Sequence, residues 1–500
     1  MADVTPFAVA LLITALVGLA AVLSNRLGEW IPIPAPALFL LGAAVVSDAW
    51  PWLESVPVDL VGRVVTVALV VILFDGGMQI GWRSFRSAAG PIVLIGVAGT
   101  LLTAVALALA AHLIFGLDWR IAMLLGTALS PTDPAVVFSV LGRREIGGRS
   151  GVLLQGESGA NDPVSIALLA VLLGTTHFDL GAVGFAFGAF ALQMTVGLLA
   201  GAVGGLGLLW FMRRVPLPSA GLYSVRVLMC AMAIYGVATL AGGSGFLAVL
   251  VAGIVIGDQR APYKPEIQRF HSALASLAEI VAFVMLGLTI QITGPHGVLA
   301  GDALWIGLGL AGVLLVIRPA LVGLVLWRVD LTRGERAFVL WTGLKGAVPI
   351  LLGTFILQAG VTDAARAYEI IFVVVACSVI VQGGAVPALA GRLGVPLRIV
   401  NPRPWALGAR FEEEPDGLRR FVVAAGSAAD GVTVADIPAA DFWVSVIIRQ
   451  GRLVNVSAQT VLLPGDEVLV LAEPESEADL AAIFTRPGAR SPRRPPRTDP

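Results

Sequence analysis

The sequence SPTDP at residues 130–134 places two prolines and an aspartate in the middle of a long apolar run, residues 119–142. Each proline lacks a backbone N–H donor and drives the preceding residue away from helical conformation. A helix formed by this run is therefore interrupted near its middle, where backbone groups lose their helical partners. At membrane depth, such groups are tolerated only where they line a polar cavity. The stretch predicts a broken membrane helix with a polar centre.

A second apolar run, residues 334–359, is interrupted in the same way by GLKGAVP at residues 343–349. Its lysine, Lys345, is one of only two in the chain. The chain is predicted to hold about thirteen membrane spans, whose bounds are given below. When the first six are paired with the last six, the two interrupted spans, the fifth and the twelfth, correspond. These two spans cross the membrane in opposite directions. Two interrupted spans in corresponding positions of inverted repeats indicate the binding site of a transporter.

The composition agrees with a membrane protein. The chain has 500 residues, of which 57% are apolar and 13% are charged, whereas a soluble domain carries about 25% charged residues. This excludes an ordinary soluble enzyme and a disordered chain. Residues 1–391 hold 20 basic and 20 acidic residues, and the shorter stretch 392–500 holds 13 and 14. A membrane body followed by a soluble tail is therefore expected.

Two further counts limit the partners and the chemistry. The net charge of -1 argues against a nucleic-acid partner. The two cysteines, Cys230 and Cys377, provide neither a disulfide framework nor the spacing of a metal site. The apolar composition instead makes the lipid bilayer an expected partner.

Runs of roughly 20 apolar residues predict about thirteen membrane-spanning helices. Alternate loops between them hold 15 basic residues in one set and only Arg120 and Arg366 in the other. Because basic residues concentrate in cytoplasmic loops, this alternation places the N-terminus outside and the tail in the cytoplasm. The predicted spans are residues 6–23, 36–50, 59–80, 89–115, 119–142, 150–174, 181–212, 221–240, 245–258, 270–292, 301–327, 334–359 and 367–391.

Ionisable side chains inside these spans are costly and are candidates for function. For Asp75, Glu279 and Arg318 a structural ion pair is an equally good interpretation, whereas the others lie in motifs that favour function. The full set is Asp75, Asp133, Glu157, Asp162, Glu279, Arg318 and Lys345.

The sixth span carries GESGANDP at residues 156–163. Ser158 and Asp162 are four residues apart and share one helix face, and Glu157 and Asn161 share the neighbouring face. Carboxylate, hydroxyl and amide oxygens suit a hard cation, and a carboxylate binds either a cation or a proton. We expect Lys345 to neutralise the surplus acid through Glu157.

These motifs resemble those of the monovalent cation:proton antiporters of the NhaP and sodium/hydrogen exchanger type. The ESGANDP block at residues 157–163 is the most specific piece. The other matching pieces follow the expected order along residues 1–391: FDGG at 74–77, TDP at 132–134, LGL at 286–288 and GAVP at 346–349.

The resemblance implies an all-α polytopic protein of the plasma membrane with inverted repeats and two crossing broken helices. It also implies a homodimer, with a moving core domain and a dimerisation domain. The residue matching the ion and proton carrier is Asp162, and the monovalent cation site is completed by Asp133, Ser158 and the backbone at Thr132.

The supporting residues are also carried over from the family. The residue matching Asn161 marks the electroneutral branch, and the residue matching Glu157 pairs with a basic residue of the later broken helix. Two positions depart from the family. Lys345 stands where arginine is usual, and Glu279 stands where a neutral residue is usual. Glu279 is then accommodated either by protonation or by pairing with Arg318.

The tail divides into a linker at 392–416, a small α+β domain at 417–485 and a disordered Pro/Arg-rich end at 486–500. Strands are predicted at 419–423 and 467–471, a hairpin around QGR at 450–452, and a helix at 474–484. IIRQGRLV at 447–454 and LPGDEVLVL at 463–471 resemble the TrkA-C (RCK-C) regulatory domain. The resemblance implies a small regulatory ligand.

The predicted function is therefore exchange of K⁺ or Na⁺ for H⁺, without a cofactor. K⁺ is favoured because TrkA-C domains accompany potassium transport systems. The alternatives are a sodium-coupled organic solute symporter and a cation channel gated by the tail. An enzyme is not expected, since no nucleophile–base pair or zinc motif is visible.

Overall fold

The computed structural model forms two compact units, Met1–Pro404 and Trp405–Pro500, which are described separately. The first predicted span, the start of the tail and the predicted disordered end lie outside the described residues, apart from residue 19. The structure describes residue 19 and residues 34–49, 57–141, 144–146, 148–175, 180–293, 297–327, 329, 331–399, 418–437, 442–449, 452–472 and 477–485.

The first unit is almost entirely helical within these ranges. Its helices are α1 (Ala35–Ala49), α2 (Val58–Val93), α3 (Thr100–Leu113), α4 (Trp119–Ala128), α5 (Ala135–Leu141), α6 (Gly148–Gly174), α7 (Leu180–Arg214), α8 (Ala220–Leu240), α9 (Gly245–Gly257), α10 (Lys264–Gly287), α11 (Ala303–Leu326), α12 (Arg333–Trp341), α13 (Ala347–Gln358), α14 (Ala364–Cys377) and α15 (Gly384–Arg392). Two π-helical turns, Leu94–Gly99 and Ser378–Gly383, join α2 to α3 and α14 to α15.

Six helical stretches of the described residues are long and apolar enough to cross a bilayer: Val58–Leu113, Gly184–Arg214, Gly221–Leu240, Lys264–Gly287, Ala303–Leu326 and Ala364–Arg392. Shorter apolar helices are Ala35–Ala49, Gly245–Gly257 and Ala347–Gln358. Large apolar side chains such as Phe185 and Trp210 are mostly exposed, as suits contact with lipid. This confirms a polytopic helical membrane fold, whereas the count of thirteen stays a prediction.

The predicted third and fourth spans follow each other with almost no loop between them. A straight helix over Val58–Leu113 would measure about 84 Å, far more than a bilayer needs. The helix is broken at Gly81, which has a φ of 67° and a ψ of 163°. A Cβ there would lie 2.3 Å from Oδ1 of Asp258, whose Oδ2 accepts a hydrogen bond from the Arg83 N–H at 2.6 Å. Glycine is required both by its conformation and by this contact.

Both predicted interruptions are present. Helix α4 ends at Ala128 and α5 begins at Ala135, so that residues 129–134 are not helical. Helix α12 ends at Trp341 and α13 begins at Ala347, so that residues 342–346 are not helical. We call these two segments the first break and the second break.

A small antiparallel sheet joins two distant parts of the first unit. Strand β1 (Arg144–Ile146) follows α5, and β2 (Leu397–Ile399) follows α15, with Glu145 opposite Arg398. Residues 397–399 lie in the stretch predicted as a linker, and their pairing with β1 is not expected from the sequence. Pairing between segments so far apart in sequence leaves no local signal.

The second unit is the predicted α+β domain. The described part of this unit holds four strands, β3 (Leu418–Val422), β4 (Phe442–Arg449), β5 (Arg452–Val454) and β6 (Glu467–Ala472), in the sheet order β3-β6-β4-β5 with antiparallel neighbours. Helix α16 (Glu477–Thr485) contributes Phe484, whose ring stacks on that of Phe421 with centroids 5.2 Å apart. The predicted hairpin and the remaining strands are confirmed.

Candidate functional site

The two breaks meet through their backbones. The Asp133 N–H of the first break donates to the Leu344 carbonyl of the second at 2.8 Å. A Cβ added at Gly346 would lie 1.8 Å from Oδ2 of Asp133. Only glycine allows this approach, so Gly346 is what lets the second break lie against Asp133.

Lys345 donates hydrogen bonds to carbonyl groups of the first break that have no helical partner. Its side chain is buried, and Nζ donates to the carbonyls of Ser130 at 3.1 Å and Pro131 at 2.9 Å. These carbonyls follow the end of α4, where helical partners are missing and the helix dipole is negative. The ammonium group therefore satisfies the first break and offsets its partial charge.

Four buried polar residues of the GESGANDP segment of helix α6 belong to this region: Glu157, Ser158, Asn161 and Asp162. Nδ2 of Asn161 donates to the Thr132 hydroxyl at 2.8 Å, which fixes α6 against the first break. Oδ1 of Asn161 and Oδ1 of Asp162 are buried and have no hydrogen-bond partner among the described residues. Buried oxygens without partners are costly. A proton or a cation would remove that cost.

The predicted pairing of Glu157 with Lys345 is wrong. Oε1 of Glu157 accepts a hydrogen bond from Nη2 of Arg318 at 2.7 Å, and both side chains are about 95% buried. Nη1 of Arg318 donates to the Leu340 carbonyl at 2.9 Å, next to the second break. The long forked side chain of α11 reaches the acid, while Lys345 points at the first break.

The alternative pairing of Glu279 with Arg318 is also wrong, because Arg318 binds Glu157. Oε1 of Glu279, on α10, is buried and has no hydrogen-bond partner in the described part of the chain. Its remaining interpretation, protonation, stays a prediction.

Asp75 is held by neighbours other than the two breaks. Its carboxylate accepts hydrogen bonds from Nε2 of Gln79 at 2.6 Å and from the Ser272 hydroxyl at 3.0 Å. The Ser272 contact ties α2 to α10. Both partners are neutral, so these hydrogen bonds are not the structural ion pair considered from the sequence, and the role of Asp75 stays a prediction.

Two elements of this arrangement are not predicted from the sequence. One is the role of the carbonyls of Ser130, Pro131 and Leu344, which the proline spacing signals indirectly, since freed carbonyls need donors. The other is the position of Arg318. Arg318 lies on a helix far along the chain from Glu157, and no local sequence pattern predicts the contact between them.

Comparison with known proteins supports this architecture. The family model described as "Sodium/hydrogen exchanger, transmembrane" matches residues 11–391, and the TrkA-C domain model matches residues 418–485. The K(+)/H(+) antiporter NhaP of Alkalimonas amylolytica is 34% identical over 437 residues, which cover 84% of this chain and 73% of that protein. The K(+)/H(+) antiporter NhaP2 of Shewanella sp. (strain MR-4) is 30% identical over 506 residues, which cover 95% and 83%.

Among solved structures, the sodium proton antiporter MjNhaP1 from Methanocaldococcus jannaschii has a similar fold. The TM-score is 0.63 at 22% identity, and the match covers 77% of this chain and 99% of that one.

Proposed function

Because the chain belongs to the sodium/hydrogen exchanger family of transmembrane proteins, we propose that it exchanges a monovalent cation for H⁺ across the plasma membrane. The observation that carries this proposal is the pair of buried, unpartnered oxygens on Asn161 and Asp162 beside the first break. Their placement supports a site that is filled in turn by a proton and by a cation. The family is one of transporters rather than enzymes.

In this mechanism Asp162 carries either ion. When ionised, its carboxylate binds the cation together with Asp133, the Ser158 hydroxyl and the backbone of Thr132. When protonated, it loses the charge that held the cation. Alternating exposure of this site to the two sides of the membrane couples the two fluxes.

We infer one H⁺ per monovalent cation, because Asn161 leaves a single carboxylate at this pair of positions on α6. The Lys345 side chain is held by two carbonyls and the Arg318 side chain by Glu157. Neither of these two basic side chains therefore needs to exchange its proton during the cycle. A dependence of flux on membrane voltage would contradict this stoichiometry.

K⁺ is the proposed cation. Both relatives compared above bear the name of K(+)/H(+) antiporters, and the TrkA-C domain match points the same way. The fold neighbour, named as a sodium proton antiporter, makes Na⁺ the second candidate. A sodium-coupled solute symporter and a tail-gated channel gain no support from these relatives.

The test is proton flux in proteoliposomes that contain a pH dye and receive an imposed K⁺ or Na⁺ gradient. We expect flux in the wild type without any organic solute, and its loss in Asp162→Asn. The matched control is Asp59→Asn, which removes one exposed carboxylate paired with Arg63 on α2. Cation-driven flux that persists in Asp162→Asn would contradict the role of this residue.

We further propose that the N-terminus lies outside, that the tail is cytoplasmic and that two copies form a homodimer. The tail domain would bind a small ligand and bias one transport conformation, which requires different ligand affinities in the two states. Truncation after Pro404 tests this, because it keeps β2 and its pairing with β1 intact. We expect flux to remain and its pH profile to shift.

A further inference from the structure

A π-helical turn, Ser378–Gly383, lies between α14 and α15 and contacts the second break. Turns of this kind are rare and often occur at functional sites. None of its residues belongs to the proposed ion ligands. Its contacts nevertheless reach both ends of the second break.

Gln382 holds the end of α12. Its Nε2 donates to the Trp341 carbonyl at 3.2 Å, and Nε1 of the Trp341 indole donates to the Gln382 carbonyl at 3.2 Å. Trp341 is the last residue of α12, and its carbonyl has no continuing helical turn to bind it. Two hydrogen bonds in opposite directions therefore fix this end of the break.

Ser378 holds the other end of the second break. Its hydroxyl accepts the Lys345 N–H at 3.0 Å and donates to Oε1 of Gln382 at 2.6 Å. A serine hydroxyl has one hydrogen to donate. Giving that hydrogen to Oε1 turns the Gln382 amide so that Nε2 faces Trp341. The three side chains thus form one consistent network.

The second break in turn positions the first. Leu344 accepts the Asp133 N–H, and Lys345 binds the carbonyls of Ser130 and Pro131. A displacement of the second break by a fraction of an ångström would therefore move Thr132 and Asp133 relative to Asp162.

We propose that Ser378 and Gln382 are positioning residues for cation exchange, which hold the second break so that the first break keeps its cation ligands in place. This inference rests on the proposed function. The hydrogen bonds of Ser378 and Gln382 to the second break, which we call the clamp, lie outside the ion site and set the affinity of that site for the cation.

The experiment measures cation-driven proton flux against cation concentration in proteoliposomes of the full chain. We expect Ser378→Ala and Gln382→Met to raise the apparent KM for the cation about fivefold to tenfold, the size of one net hydrogen bond. The maximal rate should stay within about twofold. Ser378→Thr keeps the hydroxyl and should return KM towards the wild-type value.

The matched control is Thr354→Val on α13. Thr354 is also buried, but its hydroxyl donates to the Leu351 carbonyl of its own helix. We expect this variant to lower the melting temperature about as much as Ser378→Ala and to leave KM unchanged. Both free cysteines lie in the first unit, so a thiol-reactive dye reports its melting.

The outcomes separate the two proposals. Absence of cation-driven flux in the wild type refutes the proposed function. Normal wild-type flux with an unchanged KM in both Ser378→Ala and Gln382→Met refutes the clamp alone. An equal rise of KM in Thr354→Val would also refute it, because the effect would then follow from lost stability.

Discussion

Among the described residues, each unit contains a buried carboxylate that is bound by an arginine, and the two pairs differ in their exposure to water. In the first unit Glu157 and Arg318 are 2.7 Å apart, with 5% and 4% of their side chains exposed. In the second, Asp466 and Arg449 are 2.8 Å apart; the aspartate is 1% exposed and the arginine 33%. Only the tail pair therefore keeps one partner in contact with water.

The two pairs also differ in the groups that satisfy their remaining hydrogen-bond donors and acceptors. Arg318 also donates to the Leu340 carbonyl, which the second break has freed. Asp466 instead closes a turn within its own domain, where Oδ2 also accepts the Leu463 N–H at 2.8 Å. Losing one partner thus strands a charge in the first unit, whereas in the tail water can replace the arginine.

The largest expected effect follows from removing Arg318. Arg318→Ala leaves Glu157 buried without its partner, which costs about 3–5 kcal/mol of stability. Adding Glu157→Gln removes the stranded charge and should recover a large part of that loss. Thermal melting followed with the thiol dye measures both. If the double variant melts no higher than Arg318→Ala, the pair does not behave as one unit.

Removing Lys345 should cost less and should not respond to Glu157. Lys345→Met leaves the carbonyls of Ser130 and Pro131 without donors, at about 1–3 kcal/mol. Because Glu157 is bound by Arg318, adding Glu157→Gln should bring no recovery and should lower stability further, since it leaves Arg318 buried without its charged partner. The same melting assay applies. Recovery of stability in this double variant would indicate that Lys345 pairs with Glu157, which the structure contradicts.

In the tail, Asp466→Asn should lower the stability of the domain by about 2 kcal/mol, because the charged acceptor of Arg449 is lost. Amide hydrogen exchange in the full chain should speed up across residues 418–485 and stay unchanged in α2–α15. Spread of faster exchange into those helices would mean that the two units do not open independently.

The tail pair also predicts a pH dependence. Burial of Asp466 opposes its ionisation, but the hydrogen bonds from Arg449 and Leu463 outweigh it, so its pKa lies below the ordinary value. The unfolded value is about 3.9. The stabilisation is therefore complete above that pH and is lost as the pH falls through the folded pKa. Pulsed amide exchange between pH 5 and pH 2 should show this loss in the wild type, and Asp466→Asn should lack it.

The smallest effect is expected for Glu467, the residue that follows Asp466. Glu467 pairs with Arg420 at 2.8 Å, with side chains 27% and 36% exposed. Exposed pairs contribute about 0–1 kcal/mol, so Glu467→Gln should leave amide exchange in residues 418–485 almost unchanged. A loss as large as that of Asp466→Asn would mean that burial does not decide the strength of these pairs.

The amino-acid sequence by itself determined the membrane fold, both breaks and the tail domain. Apolar length, proline spacing and strand alternation act within a few residues, so they can be read along the chain. Pro131 and Pro134 interrupt the fifth span whatever surrounds them, and the antiparallel pairing of β4 with β5 joins segments close in sequence. The grouping of Ser158 with Asp162 also follows from helical periodicity alone.

Only the tertiary structure decided which charges meet. Glu157 lies far along the chain from both Lys345 and Arg318, and charge alone favours either pairing. The choice depends on where α11 and the second break place those side chains, and on the carbonyls of Ser130 and Pro131, which attract the lysine. The Ser378 and Gln382 contacts and the pairing of β1 with β2 arise in the same way. They join segments brought together by packing, which no local pattern in the sequence records.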